Sequence, residues 1–223
     1  MIFFPLALVF ALALFFLGLF VLALVQVGLI GAAFAKLGLP PQAVPLVLLG
    51  SLLGSGLNIP VRRIQGPPQP AELDLLALGF RFRMPVIAPR RETILAVNLG
   101  GAVIPTLVSL YLLGRAGSPL GYLAATLAVT WVVHRFARPV PGFGIAVPLL
   151  VPPAAAAIAA LVFSPAEAGP AAYVAGTLGC LLGADLLNLP KIARLGAPIA
   201  SIGGAGTFDG VFLSGVIAVF LAA

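Results

Sequence analysis

The sequence predicts an all-α integral membrane protein of about seven transmembrane helices, and three observations carry that expectation. Hydrophobic residues make up 61% of the 223 residues and charged residues only 8%, against roughly 25% charged in ordinary soluble domains. The apolar residues gather into runs long enough to span a bilayer. Arginine and lysine concentrate in alternate loops between those runs.

The runs are residues 6–35, 42–59, 94–114, 119–134, 143–163, 170–189 and 203–222. The first is longer than a bilayer needs and is read as one tilted helix, the alternative being two short ones broken near Gly18, which would move only the amino terminus to the outside. Residues 1–35 carry no charge, so the basic start of a cleavable signal peptide is missing and this helix is expected to be retained. The fifth run holds Pro148, Pro152 and Pro153 and is expected to be kinked or broken. With the amino terminus inside, the inner loops hold Arg62, Arg63, Arg81, Arg83, Arg90, Arg91, Arg135, Arg138, Lys191 and Arg194, and the outer loops only Lys36 and Arg115. This bias predicts a multi-pass protein of the cell membrane with its basic loops toward the cytoplasm. The net charge of +6 follows from that loop pattern, and no basic, aromatic-studded surface suggests a nucleic-acid partner.

The whole chain, 1–223, reads as one membrane domain with an internal repeat. LGSLLGSGLNIPVRRI (49–64) resembles LGCLLGADLLNLPKIARL (178–195), and GGA at 100–102 answers GGA at 203–205. Two triplets of spans, about 1–115 and 143–223, would then flank a linking helix at about 119–134, a 3+1+3 arrangement of parallel repeats. In the long central loop, Phe80, Arg81, Phe82 and Arg83 alternate. That pattern suits a short strand or a segment at the membrane interface.

Two acidic residues sit inside apolar runs. Asp185 lies five residues before Pro190, and Asp209 lies shortly after the start of the last run. The two runs are consecutive, so both carboxylates are expected near the cytoplasmic surface, roughly 7–13 Å inside their helix ends. An ionisable group at that depth is costly and marks a functional site. Asn188 follows Asp185 by three residues and is expected to hold its carboxyl. Four glycines around SIGGAGTFDG disfavour a smooth helix where Asp209 stands. The GxxxG pairs Gly50/Gly54, Gly179/Gly183 and Gly206/Gly210 suit close helix packing.

A carboxyl pair of this kind serves two chemistries. Within hydrogen-bonding reach the carboxyls share a proton, one acting as base on water while the other protonates a peptide carbonyl. Set further apart, with Asn58, Asn98, Asn188, Thr207, Gly206 and Gly210 around them, they would bind a proton or sodium ion for coupled transport of a small molecule. A structural membrane protein without catalytic activity is the third reading. Other sites are weakly supported. Ser55 and His134 make a poor serine dyad, and the lone Cys180 suits packing. With one histidine and no phosphate-binding glycine loop, neither a metal nor a nucleotide cofactor is expected. The expected partners are the lipid bilayer and either a transmembrane peptide or a small-molecule or ion substrate; the oligomeric state is left open.

GGAGTFDGVFLSGVIA resembles the GxGD motif that opens the second catalytic helix of the presenilin and signal-peptide-peptidase enzymes, and GADLL resembles the site of their first catalytic aspartate. The likeness implies an intramembrane aspartyl protease with Asp185 and Asp209 as its catalytic pair. It covers about 40 residues and departs at Phe208 and Ala184, where those enzymes carry Gly and Tyr. Taken whole, the chain is similar to a small prokaryotic multi-pass membrane family with the same GAD and TFDG signatures.

Overall fold

A computed structural model describes residues 6–65, 70–77, 80–87, 92–140, 144–192, 198–204 and 208–222. The uncharged first run forms one long helix, α1 (Leu6–Lys36). After a short turn, α2 (Ala43–Gly54) runs for 12 residues, about 18 Å. The chain then becomes extended, through β1 (Asn58–Gln65), β2 (Pro70–Ala77), β3 (Phe80–Ile87) and β4 (Glu92–Asn98). A π-helical turn, Leu99–Val103, leads into α3 (Ile104–Gly114). Helix α4 (Pro119–Phe136) ends in a small hairpin of β5 (Arg138–Val140) and β6 (Gly144–Ala146), followed by α5 (Val151–Phe163). Helix α6 (Ala168–Cys180) continues through a π turn (Leu181–Asp185) and a 3-10 turn (Leu186–Asn188) into α7 (Leu189–Ile192). Strand β7 (Ile199–Ile202) and helix α8 (Phe208–Leu221) complete the chain.

The all-α, seven-span expectation is corrected by these elements. Among the described residues one helix, Pro165–Lys191, is both long and apolar enough to cross a membrane. Run 42–59 leaves the helix at Gly54, run 94–114 starts as strand β4, run 143–163 starts as strand β6, and run 203–222 opens on the non-helical Gly203 and Gly204. Strands β1, β4 and β7 form one sheet in that order, β1–β4 antiparallel and β4–β7 parallel. A short apolar run fits a buried strand as well as a helix. What decides is a partner far away in sequence: Ile94 to Val97 pair with Ile199 to Ile202. The alternating Phe80–Arg83 segment is a strand, with Arg83 opposite Asp74 in the antiparallel β2–β3 hairpin.

The 3+1+3 repeat is corrected as well. Its two LGxLLG stretches fold differently, since 49–54 closes the short α2 while 178–183 runs from α6 into a π turn. Asn58 then starts an exposed strand, whereas Asn188 is buried inside a continuing helix.

The helices pack on small residues. Ala156, Ala160, Ala171, Ala172 and Ala175 are fully buried, while Leu120, Leu127, Trp131, Leu150, Ile158 and Val162 lie exposed on the outside. Gly179 and Gly183 of the α6 segment abut Val129 and Thr130 of α4, so those helices run parallel and a β-carbon at either glycine would come within 2.6 Å of α4. Gly169 faces Val219, and Gly176 meets Gly215 backbone to backbone, so α6 and α8 run antiparallel. Gly54 sits on Gly100 and Gly50 on Ile104, which makes α2 and the segment leading into α3 antiparallel. Residues 54, 100, 134 and 183 therefore share one end of the bundle. Lys36, stacked over the Phe220 ring at 5.5 Å, and Arg115, bonded to Tyr111, lie at the other.

Candidate functional site

Asp185 closes the π turn of the α6 segment and is 4% exposed. Its Oδ2 accepts the Gly203 backbone N–H at 2.8 Å, and no other partner is found for it among the described residues. Gly203 follows strand β7 with φ +67°, a conformation that side-chain-bearing residues rarely adopt. A β-carbon there would lie 2.7 Å from the Gly101 carbonyl. The donor to Asp185 thus sits where the two GGA segments meet, with no room for a side chain on Gly203 between their backbones.

Gly101 is itself held by Asn98. The Asn98 Oδ1 accepts the Gly101 N–H at 2.7 Å, and its amide donates to the Ser55 carbonyl at 2.7 Å and to Asn58 Oδ1 at 3.1 Å. Ser201 on β7 also donates to Asn58 Oδ1. Asn58 and Asn98, two of the residues expected around a bound ion, tie the sheet and the π turn together. Replacing Asn98 by Ala should strand the buried Gly101 N–H and lower stability by about 2–3 kcal/mol. Thermal unfolding in detergent, followed through the single tryptophan Trp131, would measure it. Asn98→Asp, which keeps the acceptor and loses the donors, should fall between.

Asn188 serves a different neighbour from the one its spacing suggested. Its amide donates to the carbonyls of Gly183 and Ala184, at 3.0 and 2.9 Å, and reaches His134 Nδ1 at 3.4 Å. Lys191 donates to its Oδ1 at 2.7 Å. The change from π to 3-10 winding leaves those carbonyls without ordinary helical partners, and a buried carbonyl has to be satisfied. Ser55 donates back to the Leu52 carbonyl and His134 faces Gly183, so the two share no bond.

Asp209 is the second residue of α8, and Gly210 the third; the side chain of Asp209 lies outside the described residues, as do Gly206 and Thr207. The backbone still fixes its level. From the Gly176–Gly215 crossing, Asp185 lies nine residues along the α6 segment, about 13 Å, and Asp209 six residues back along α8, about 9 Å. The two positions stand at the same end of packed antiparallel helices, about one helical turn apart in height. Among the described residues no three His, Cys, Asp or Glu side chains converge on a metal-sized site.

The pattern of the family described as "Protein of unknown function (DUF1614)" matches residues 52–221. The chain belongs to the DUF1614 family. The match takes in all three sheets and both aspartates, and leaves out α1 and most of α2. No curated protein and no solved structure matches the chain. Within this DUF1614 segment, sequence reasoning missed Gly203 as the partner of Asp185 and Ser201 as the partner of Asn58. The paired GGA motifs were the available signal, because glycine-rich runs mark places where backbones meet.

Proposed function

We propose that this protein is an intramembrane aspartyl peptidase in which Asp185 and Asp209 form the catalytic pair. The observation that carries the reading is their placement at one end of two packed antiparallel helices, with Asp185 buried and, among the described residues, held by one backbone donor. That leaves carboxyl lone pairs available for a water and for the second carboxyl. One carboxyl takes a proton from the attacking water while the other gives one to the peptide carbonyl, and the roles reverse as the amine leaves. The local likeness of GAD and GGAGTFDG to the GxGD enzymes adds to the reading.

Membrane residence supports the substrate class, a transmembrane peptide. Alanine is the commonest buried apolar residue, beside valines, Phe34, Tyr122 and Tyr173, while large apolar side chains such as Leu120, Leu127, Trp131 and Ile158 cover the outside, a distribution that suits lipid rather than water as the surrounding solvent. Helix α1 extends this face, with Phe15, Phe16, Leu17 and Phe20 exposed. Arg62, Arg63, Arg135, Arg138 and Lys191 gather at the end that holds Asp185, and Lys36 and Arg115 stand at the other. This bias favours a multi-pass orientation with the site toward the cytoplasm.

One observation favours a second reading, a carrier coupled to protons or sodium ions. Among the described residues the hydroxyls of Tyr173 and Thr177, one turn apart on α6, are buried and find no hydrogen-bond partner. Buried unpaired hydroxyls fit a path that takes up water or an ion.

The test is photo-crosslinking of purified protein in liposomes with a transition-state inhibitor of aspartyl proteases. Labelling of wild type that is competed by unmodified inhibitor is the expected result. No labelling of folded wild type would sink the peptidase reading and turn attention to proton and sodium uptake.

A further inference from the structure

On the outer face of α4 and α5 lies a cavity of about 450 Å³ lined by apolar side chains. Its floor is alanine, Ala128, Ala155 and Ala159, and its rims are Phe136, Ile158 and Val162. Ala128 and Phe136 are eight residues apart on α4, about 12 Å, and Val151 to Phe163 along α5 covers about 18 Å. Half the hydrocarbon thickness of a bilayer is about 15 Å. The groove is as long as one leaflet is deep.

Its two ends differ in charge. Arg135 immediately precedes Phe136 and Arg138 follows it by two residues; both are exposed, and neither is in an ion pair among the described residues. At the far end, where Gly121 meets Phe163, Glu167 accepts the Gly117 N–H at 3.0 Å. Charge at the mouth and length together specify the occupant. We infer that the α4–α5 groove binds one acyl chain of an anionic phospholipid of the cytoplasmic leaflet, with the phosphate held by Arg135 and Arg138. The inference rests on the membrane reading above and on neither aspartate.

An arginine near an anionic lipid is worth on the order of fivefold in association, so two set an expected preference of roughly twentyfold over a zwitterionic lipid. The experiment reconstitutes the full chain in nanodiscs with phosphatidylglycerol or phosphatidylcholine carrying a photoreactive acyl chain, and maps crosslinks by mass spectrometry. Phosphatidylglycerol should label peptides 128–136 and 151–163 in preference to the other apolar faces. Arg135→Gln with Arg138→Gln should erase the headgroup preference and keep the acyl crosslinks, and Ala155→Phe, which fills the floor, should remove both. Crosslinks spread evenly over α3, α5 and α8, or an unchanged preference in the arginine variant, would overturn the inference while leaving membrane residence intact. Loss of the protein from alkali-washed membranes would sink the membrane reading, and this inference with it.

Discussion

Asp185→Asn should reduce peptide hydrolysis by on the order of 10³-fold or more while leaving the fold in place. Asparagine keeps the shape of the side chain, and its Oδ1 can still accept the Gly203 N–H that Asp185 accepts at 2.8 Å. What it cannot do is exchange a proton, and acid–base groups contribute about 10²–10⁴ each. Asp185→Ala differs in kind. It leaves the Gly203 N–H without a partner in a buried place, which costs about 1–3 kcal/mol. Both changes should therefore abolish inhibitor labelling, but only the alanine should lower the unfolding midpoint. Asp209→Asn should match Asp185→Asn, because the pair works as a unit. Cleavage of a fluorescence-quenched peptide with an apolar core, scored beside thermal unfolding of each variant, separates these effects. An Asp185→Asn protein that still cleaves would remove Asp185 from the chemistry.

Gly203→Ala should be the most damaging change of a single methyl at the site. At φ +67° an added side chain costs about 1–2 kcal/mol. The new β-carbon would also stand 2.7 Å from the Gly101 carbonyl, a backbone group that cannot swing away. Overpacking of that kind adds about 1–3 kcal/mol. The total, about 2–5 kcal/mol, should lower the unfolding midpoint by roughly 10 °C. The strand would have to shift, and the N–H that reaches Asp185 would shift with it, so labelling should fall as well. Gly114→Ala, where nothing lies within 4 Å of the added carbon, is the matched control and should be close to neutral. Equal midpoints for the two variants would show that the GGA contact is not what positions Asp185.

Much of the candidate site was legible as positions and little of it as contacts. The placing of Asp185 near the end of one apolar segment and Asp209 near the start of the next put both at one end of neighbouring helices, and the glycine–valine and glycine–glycine contacts of α6 with α8 agree with that. Asn188 shows the limit. Its spacing from Asp185 suits a bond on a regular α-helix, but the winding changes from π to 3-10 between them. The amide turns to the carbonyls that this change releases. No periodicity in LLGADLLN announces such a turn, since π and α winding draw on the same apolar residues.

The sequence by itself determined where the apolar segments lie, that Phe80 to Arg83 alternate as a strand does, and that glycines cluster where backbones must come close. These are local properties, set by composition and by periods of 2 and 3.6 residues. Only the tertiary structure decided that Ile94 to Val97 form a strand rather than the start of a helix. Their partner in β7 is about a hundred residues away, and four apolar residues satisfy either geometry. The same holds for Asp185. Its burial follows from the run around it, but the one bond found for it among the described residues comes from Gly203, whose backbone lies against Gly101 in the turn that follows the neighbouring strand β4. Pairing between distant segments is fixed by which surfaces can pack together, and that information is spread over the whole chain rather than held in any one stretch of it.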